Sequence, residues 1–200
     1  MTNKENIMTT IYFVRHAQPN YNNHDDKTRE LTEKGLTDRQ LVTRFLMDKN
    51  IQAILSSPYQ RCTSTIAEFA QATGLTVALE EGFRERAVGL WVEDFAGFAQ
   101  KQWADFSYKL NGGECLSQVQ ARNISALERA LNIYPNQNIV ISGHGTAICT
   151  VLNYYNPSFG YEDFERIRPL MPWAVTLQFQ NKRCISIQEC PLAPSPKKAL

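Results

Sequence analysis

Short runs of β-branched and aliphatic residues alternate along this chain with longer stretches whose apolar positions recur at helical spacing. Ile11 to Val14 is the first run, and its end at Arg15-His16 predicts a buried strand delivering two polar side chains at its carboxyl end. From Gly35 to Lys49, Leu36, Leu41, Val42, Phe45 and Leu46 mark a helix. Ile51 to Leu55 predicts a second strand. Ser57-Pro58 then offers an N-cap and a first-turn proline to a helix that buries Cys62, Ile66, Phe69 and Ala70 and stops at Gly74. Leu75 to Leu79 predicts a third strand. Gly82 to Gly113 has no clean period, because Trp91, Phe95, Phe98, Trp103 and Phe106 are interleaved with charges and glycines; a loop and an irregular helix lying over the sheet are expected. Leu116, Val119, Asn123, Leu127, Ala130 and Leu131 predict a long amphipathic helix that ends before Pro135. Ile139 to Ile141 predicts a fourth strand, Gly143-His144-Gly145 a turn, and Thr146 to Tyr154 a helix. Trp173 to Phe179 and Cys184 to Ile187 alternate as a hairpin joined by Asn181-Lys182-Arg183.

The order β-α-β-α-β-α-β-α with a terminal hairpin predicts an α/β fold, a three-layer α/β/α sandwich with a mostly parallel sheet and a C-terminal hairpin. No internal repeat is visible. With 200 residues, 43% of them hydrophobic, the chain suits one core and one domain over residues 11–190, with a covering segment at about 82–113. Residues 1–10 are expected to be an extension, and residues 191–200, with Pro194, Pro196, Lys197 and Lys198, a disordered tail.

Charge narrows the partners. The formal net charge is +1, from 21 basic and 20 acidic side chains, so no overall field holds nucleic acid or an anionic membrane. The uncharged stretch from Ala130 to Tyr161 contains Pro135, Asn136, Gln137, Asn138, His144 and Pro157, groups costly to bury in lipid, which argues against a membrane span. Cys62, Cys115, Cys149, Cys184 and Cys190 are odd in number and form no close metal-type pair, so reduced thiols are expected. Met1 to Thr10 lacks the apolar stretch of a secretory signal, and together these features point to the cytoplasm. The oligomeric state is left open.

In open α/β sheets ligands sit at the carboxyl ends of strands. Here three such ends carry Arg15-His16, Ser56-Ser57 with Arg61 one turn on, and His144. Two guanidinium groups and two imidazoles around one point suit a phosphoryl group, since planar forks match its oxygens and an imidazole nitrogen can attack phosphorus. His24-Asp25-Asp26 has no recognisable ligand spacing and reads as a solvated loop; no metal and no cofactor are expected. Trp91, Trp103 and Phe106 read as core beneath the covering segment.

Six motifs in order, Arg15-His16-Ala17-Gln18-Pro19-Asn20-Tyr21-Asn22, Leu31-Thr32-Glu33-Lys34-Gly35, Ser56-Ser57-Pro58-Tyr59-Gln60-Arg61, Glu85 with Gly89 and Trp91, Gly112-Gly113-Glu114, and Ser142-Gly143-His144-Gly145, resemble the histidine phosphatase (phosphoglycerate mutase-like) superfamily. The likeness runs from about Ile11 to Phe179. It implies His16 as nucleophile, Arg15, Arg61 and His144 as catalytic phosphate ligands, Asn22 and Gly145 as further phosphate-binding positions, and Glu85 as proton donor. Glu85 is selected among Glu80, Glu81, Glu93 and Asp94 by its spacing to Gly89 and Trp91, and Asn22 over Asn20 and Asn23 by its place after Arg15. Ala17, Pro19 and Val92-Glu93 depart from the usual pattern, and Ala17 excludes a left-handed backbone more strongly than the usual glycine. The activity implied is phosphomonoester hydrolysis through a phosphohistidine, on a small phosphorylated metabolite. The alternatives are a mutase, for which Leu90 to Asn111 offers only Lys101 and Lys109, a phosphoprotein (phosphohistidine) phosphatase, and a phosphate-binding module without turnover.

Overall fold

The computed structural model describes residues 7–190 and Leu192, so the remainder of the expected tail and the first six residues lie outside the described residues. The elements are β1 (Met8–Arg15), α1 (Glu33–Leu46), β2 (Ala53–Ser56), α2 (Gln60–Thr73), β3 (Val77–Leu79), α3 (Phe95–Ala104), α4 (Leu116–Ile133), β4 (Asn138–Gly143), α5 (Gly145–Tyr155), α6 (Tyr161–Ile167), β5 (Trp173–Gln180) and β6 (Arg183–Cys190), with a 3₁₀ turn at Glu81–Phe83.

The strands form one sheet in the order β3-β2-β4-β1-β5-β6. The first four are parallel, and β5 and β6 run antiparallel to their neighbours. The inner strands are apolar on both faces, as a sheet covered by helices on each side requires. Ile11 and Phe13 of β1, Leu55 of β2 and Ile139 and Ile141 of β4 join Leu116, Leu127, Ile148 and Val151 in one core layer. The alternate residues Val14, Ile54 and Val140 pack with Val42, Leu46, Ile66 and Phe69 in the other. The expected three layers are present, and each fully buried aliphatic side chain contributes about 1.5–3 kcal/mol.

Local chemistry explains several boundaries. Strand β1 starts at Met8, inside the expected extension, because β5 pairs with it as far as Met8↔Gln180. Thr32 caps α1, its Oγ1 accepting from Gly35 N at 3.0 Å. A Cβ at Gly35 would lie 2.3 Å from the Gln18 carbonyl oxygen, so glycine lets α1 press onto the loop after His16. Helix α2 does end at Gly74, which is left-handed at φ 72°. Its start differs from expectation: Tyr59 occupies the N-cap position, and Ser57 belongs to the preceding loop with its N–H on the Ser142 carbonyl at 2.9 Å. The helix of the covering segment is regular, capped by Asp94 Oδ1 accepting from Gly97 N at 2.9 Å, and it buries Phe98, Ala99, Gln102 and Trp103. Helix α6 was not expected; its seven residues are too few to show a period. The terminal hairpin turns on Asn181 and Lys182, both at positive φ, as a two-residue turn matched to strand twist requires.

Candidate active site

Register places the polar strand ends side by side. Arg15 of β1 pairs with Gly143 of β4, and Ser56 of β2 pairs with Ser142 of β4. The next residues, His16, Ser57 and His144, therefore leave the sheet together, and the His16 and His144 rings lie 5.3 Å apart, edge to face. Hydrogen bonds tie the exits of β1 and β4 to α2. Ala17 N donates to Thr65 Oγ1 at 3.0 Å, Thr65 Oγ1 donates to the Arg61 carbonyl at 2.7 Å, and Ser142 Oγ donates to the Cys62 carbonyl at 2.9 Å. Ala17 is absent from the non-glycine residues at positive φ, so alanine carries no left-handed strain at this position.

His16 is buried, and its Nδ1 lies 2.7 Å from the Ala17 carbonyl oxygen. A carbonyl only accepts, so Nδ1 carries the proton and Nε2 keeps its lone pair. Burial, with Arg61 and Arg15 alongside, holds the His16 pKa well below the ordinary imidazole value. Both effects favour the neutral ring, with Nε2 unprotonated. His144 Nε2 shares a hydrogen bond with Ser57 Oγ at 2.8 Å, and burial followed by Arg61 and His16 lowers its pKa likewise.

Arg15 is anchored from behind. Its Nη1 donates to the carbonyls of Ile167, Arg168 and Leu170 at 3.1, 2.8 and 3.1 Å, while its buried Nε has no hydrogen-bond partner. The Nε–Nη2 edge is thus the fork that phosphoryl oxygens can meet. A Cβ on Gly145 would sit 2.9 Å from Arg15 Nε, so the first residue of α5 is glycine where the guanidinium crosses it. Arg61, 2% exposed, donates from Nη1 to the Asp26 carbonyl and pairs through Nη2 with Asp26 Oδ1 at 3.0 Å. The same Oδ1 holds Arg29 Nη1 at 3.1 Å. Asp26, expected in a solvated loop, is instead a shared anchor for two cations.

Glu85 Oε1 accepts from Arg86 N at 2.7 Å and Oε2 from Thr146 N at 3.3 Å, which puts its carboxylate at the N-terminus of α5 next to His144. Asn22 is not brought to this cluster by any hydrogen bond of its side chain; it lies on an exposed loop with its N–H on Asn20 Oδ1 at 3.1 Å. Trp103 is core, against Phe106, Phe159 and Phe164. Trp91 is not: it is 51% exposed and stacked on His24 at 3.9 Å. Sequence reasoning missed Ser57 as the His144 partner, Thr65 as the tie to Ala17, and Asp26. Ser57 stood in a motif already singled out, and Asp26 in the His24-Asp25-Asp26 cluster that reads as a solvated loop. Among the described residues no group of three or more His, Cys, Asp or Glu side chains is arranged to hold a metal ion, and no helix is long and apolar enough to cross a membrane.

Comparison with known proteins fits this geometry. The model of the histidine phosphatase superfamily (branch 1) matches residues 11–186. Phosphoserine phosphatase 1 of Hydrogenobacter thermophilus is 28% identical over 155 residues, 68% of this chain and 71% of that protein. A probable phosphoglycerate mutase GpmB of Yersinia pestis is 26% identical over 161 residues, 73% of this chain and 74% of that protein. Among solved structures, YhfR of Bacillus stearothermophilus superposes with a TM-score of 0.75 at 18% identity, covering 88% of this chain and 94% of that one. Phosphoserine phosphatase of Entamoeba histolytica, in complex with 3-phosphoglyceric acid, superposes with a TM-score of 0.73 at 19% identity, covering 92% and 98%.

Proposed function

Because the chain belongs to the histidine phosphatase superfamily (branch 1), we propose that it is a phosphomonoesterase that acts on a small phosphorylated metabolite through a phosphohistidine on His16. One observation carries the reading: the 2.7 Å contact from His16 Nδ1 to the Ala17 carbonyl leaves Nε2 as the attacking lone pair amid two arginines and a second histidine.

In the first step Nε2 bonds to phosphorus as the bond from phosphorus to the leaving oxygen breaks, and Glu85 gives its proton to that oxygen. Charge on the phosphoryl oxygens is met by Arg15, Arg61, His144 and the N–H groups opening α5 at Gly145, donors held in place before the reaction starts. In the second step a water attacks phosphorus, the Glu85 carboxylate takes its proton, and the electron pair returns to Nε2. Fixed positive charge is supplied by the arginines, so the reaction as written uses no metal. Five free cysteines and the near-neutral charge support an enzyme of the cytoplasm, and the single sheet supports one domain, whose first strand begins at Met8 and not at residue 11.

The relatives called probable phosphoglycerate mutase make transfer to a second acceptor the other reading. A mutase must retain its leaving acid while the phosphohistidine waits. Between Leu90 and Asn111 the basic residues are Lys101 and Lys109, few for gripping a second acidic group, which supports hydrolysis. A panel of phosphorylated metabolites, including phosphoserine and 3-phosphoglycerate, separates the two. Release of free phosphate by the wild type, and none by His16→Ala, is expected. Conversion of 3-phosphoglycerate to its isomer without phosphate release would overturn the hydrolytic reading.

A further inference from the structure

Glu85 lies on a stretch that no strand holds, between the 3₁₀ turn at Glu81–Phe83 and helix α3. Its backbone is gripped instead by one ion pair. Arg122, on α4, donates from Nη1 to the carbonyls of Gly82 and Arg84 at 2.9 and 2.7 Å, and from Nη2 to the carbonyl of Glu85 itself at 3.0 Å. Its Nε and Nη2 also donate to Glu114 Oε1 and Oε2 at 2.9 and 3.0 Å. These five contacts match the five N–H donors of a guanidinium. Glu114 answers from the other side: its Oε2 accepts from Ala87 N at 2.9 Å and its Oε1 from Arg84 Nη2 at 2.6 Å. The carbonyl of residue 85 and the N–H of residue 87 are therefore set by the same pair.

Glycines bring the segment within reach of that pair. A Cβ at Gly82 would lie 2.6 Å from Ala126 Cβ of α4, and one at Gly113 would lie 2.5 Å from the Val88 carbonyl oxygen. Gly89, at φ +90°, closes the same contact from the other strand of chain, where a Cβ would lie 2.4 Å from the Asn111 carbonyl oxygen. With side chains only 15% and 16% exposed, Arg122 and Glu114 are costly to desolvate unless every polar atom is used, as here.

We propose that Arg122 and Glu114 are positioning residues that hold the Glu85 carboxyl at the leaving-group oxygen; the proposal rests on the reading of Glu85 as the proton donor. The Glu85 carboxylate touches the rest of the site through Thr146 N, at 3.3 Å, so a shift of its backbone moves the acid directly. Proton transfer needs hydrogen-bond reach, and a displacement of about 1 Å costs about 10²-fold in rate.

The test compares kcat/KM, which covers the steps up to leaving-group departure, for phenyl phosphate and p-nitrophenyl phosphate in the wild type, R122Q, E85Q and the double variant. Phenolate, with a conjugate acid near pKa 10 as in tyrosine, needs the proton far more than p-nitrophenolate does. R122Q should lose about 10²-fold with phenyl phosphate and much less with p-nitrophenyl phosphate. The double variant should be no slower than E85Q, since Arg122 acts only through Glu85. Arg122→Lys, which keeps the charge but not the planar fork, should not rescue. Equal losses on both esters in R122Q, or losses that multiply in the double variant, would overturn the positioning role while leaving Glu85 as the acid. Equal losses on both esters in E85Q would show instead that the acid itself is misassigned, and the positioning role falls with it. Should R122Q fail to fold by circular dichroism, E114Q carries the same cycle.

Discussion

Gly145→Ala isolates the contact between α5 and Arg15. The new methyl would lie 2.9 Å from Arg15 Nε, 3.0 Å from Cζ and 3.3 Å from Nη2, so something must move. The end of a long side chain ordinarily yields at little cost. Here Nη1 is tied to the carbonyls of Ile167, Arg168 and Leu170, so the guanidinium can only tilt about Nη1 and swing its Nε–Nη2 edge away. Overpacking of this kind costs about 1–3 kcal/mol. Where the tilt absorbs it, the fork on the phosphoryl group is lost from the transition state, and kcat/KM falls about 10- to 100-fold at 1.36 kcal/mol per factor of ten. The remainder appears as a lower Tm, about 2–4 °C per kcal/mol for a chain of this size. Steady-state kinetics and thermal melts on the same preparations measure both. A Gly145→Ala enzyme with wild-type kcat/KM and Tm would refute the argument that Arg15 is pinned.

Three further outcomes are expected. Burial, then Arg61 and Arg15, depress the His16 pKa, so kcat/KM should show no acid limb at the ordinary imidazole value of 6.5 and should fall only at lower pH; a limb at 6.5 would contradict the buried neutral ring. The same depression in His16 and His144 means that the unfolded chain takes up protons the folded one refuses, so denaturation midpoints should decline as pH drops below about 6.5 and hold level just above it. Activity should survive dialysis against EDTA; its loss, with recovery on adding zinc or magnesium, would return attention to His24 and its neighbouring carboxylates.

Much of this architecture was legible because strands buried on both faces write unbroken apolar runs, as Ile139 to Ile141 does, and because α4 shows its period over 18 residues. The catalytic candidates at strand ends were legible for the same reason: Arg15-His16 and His144 interrupt apolar runs where a parallel sheet exposes its carboxyl edge. What was not legible depends on contacts between distant loops. Ser57 looks like a helix cap until β4 brings His144 within 2.8 Å of its hydroxyl. Asp26 looks solvated until Arg61, 35 residues later, reaches back to it. Ala17 raised a question about backbone geometry that only its φ could answer. The covering segment hid a regular helix because glycines and charges obscure its period, and Trp91 misled because an exposed ring stacked on His24 is written with the same letter as a buried one.

The central claim is the covalent intermediate on His16, and it can be read directly by rapid mixing of the enzyme with a radiolabelled phosphate ester followed by quenching in alkaline denaturant, where a phosphorus–nitrogen bond survives. The account predicts label that is lost on brief acid treatment, mapped to the peptide carrying His16 and absent from His16→Ala. Label retained by His16→Ala, or mapped to a cysteine or an aspartate, would contradict it.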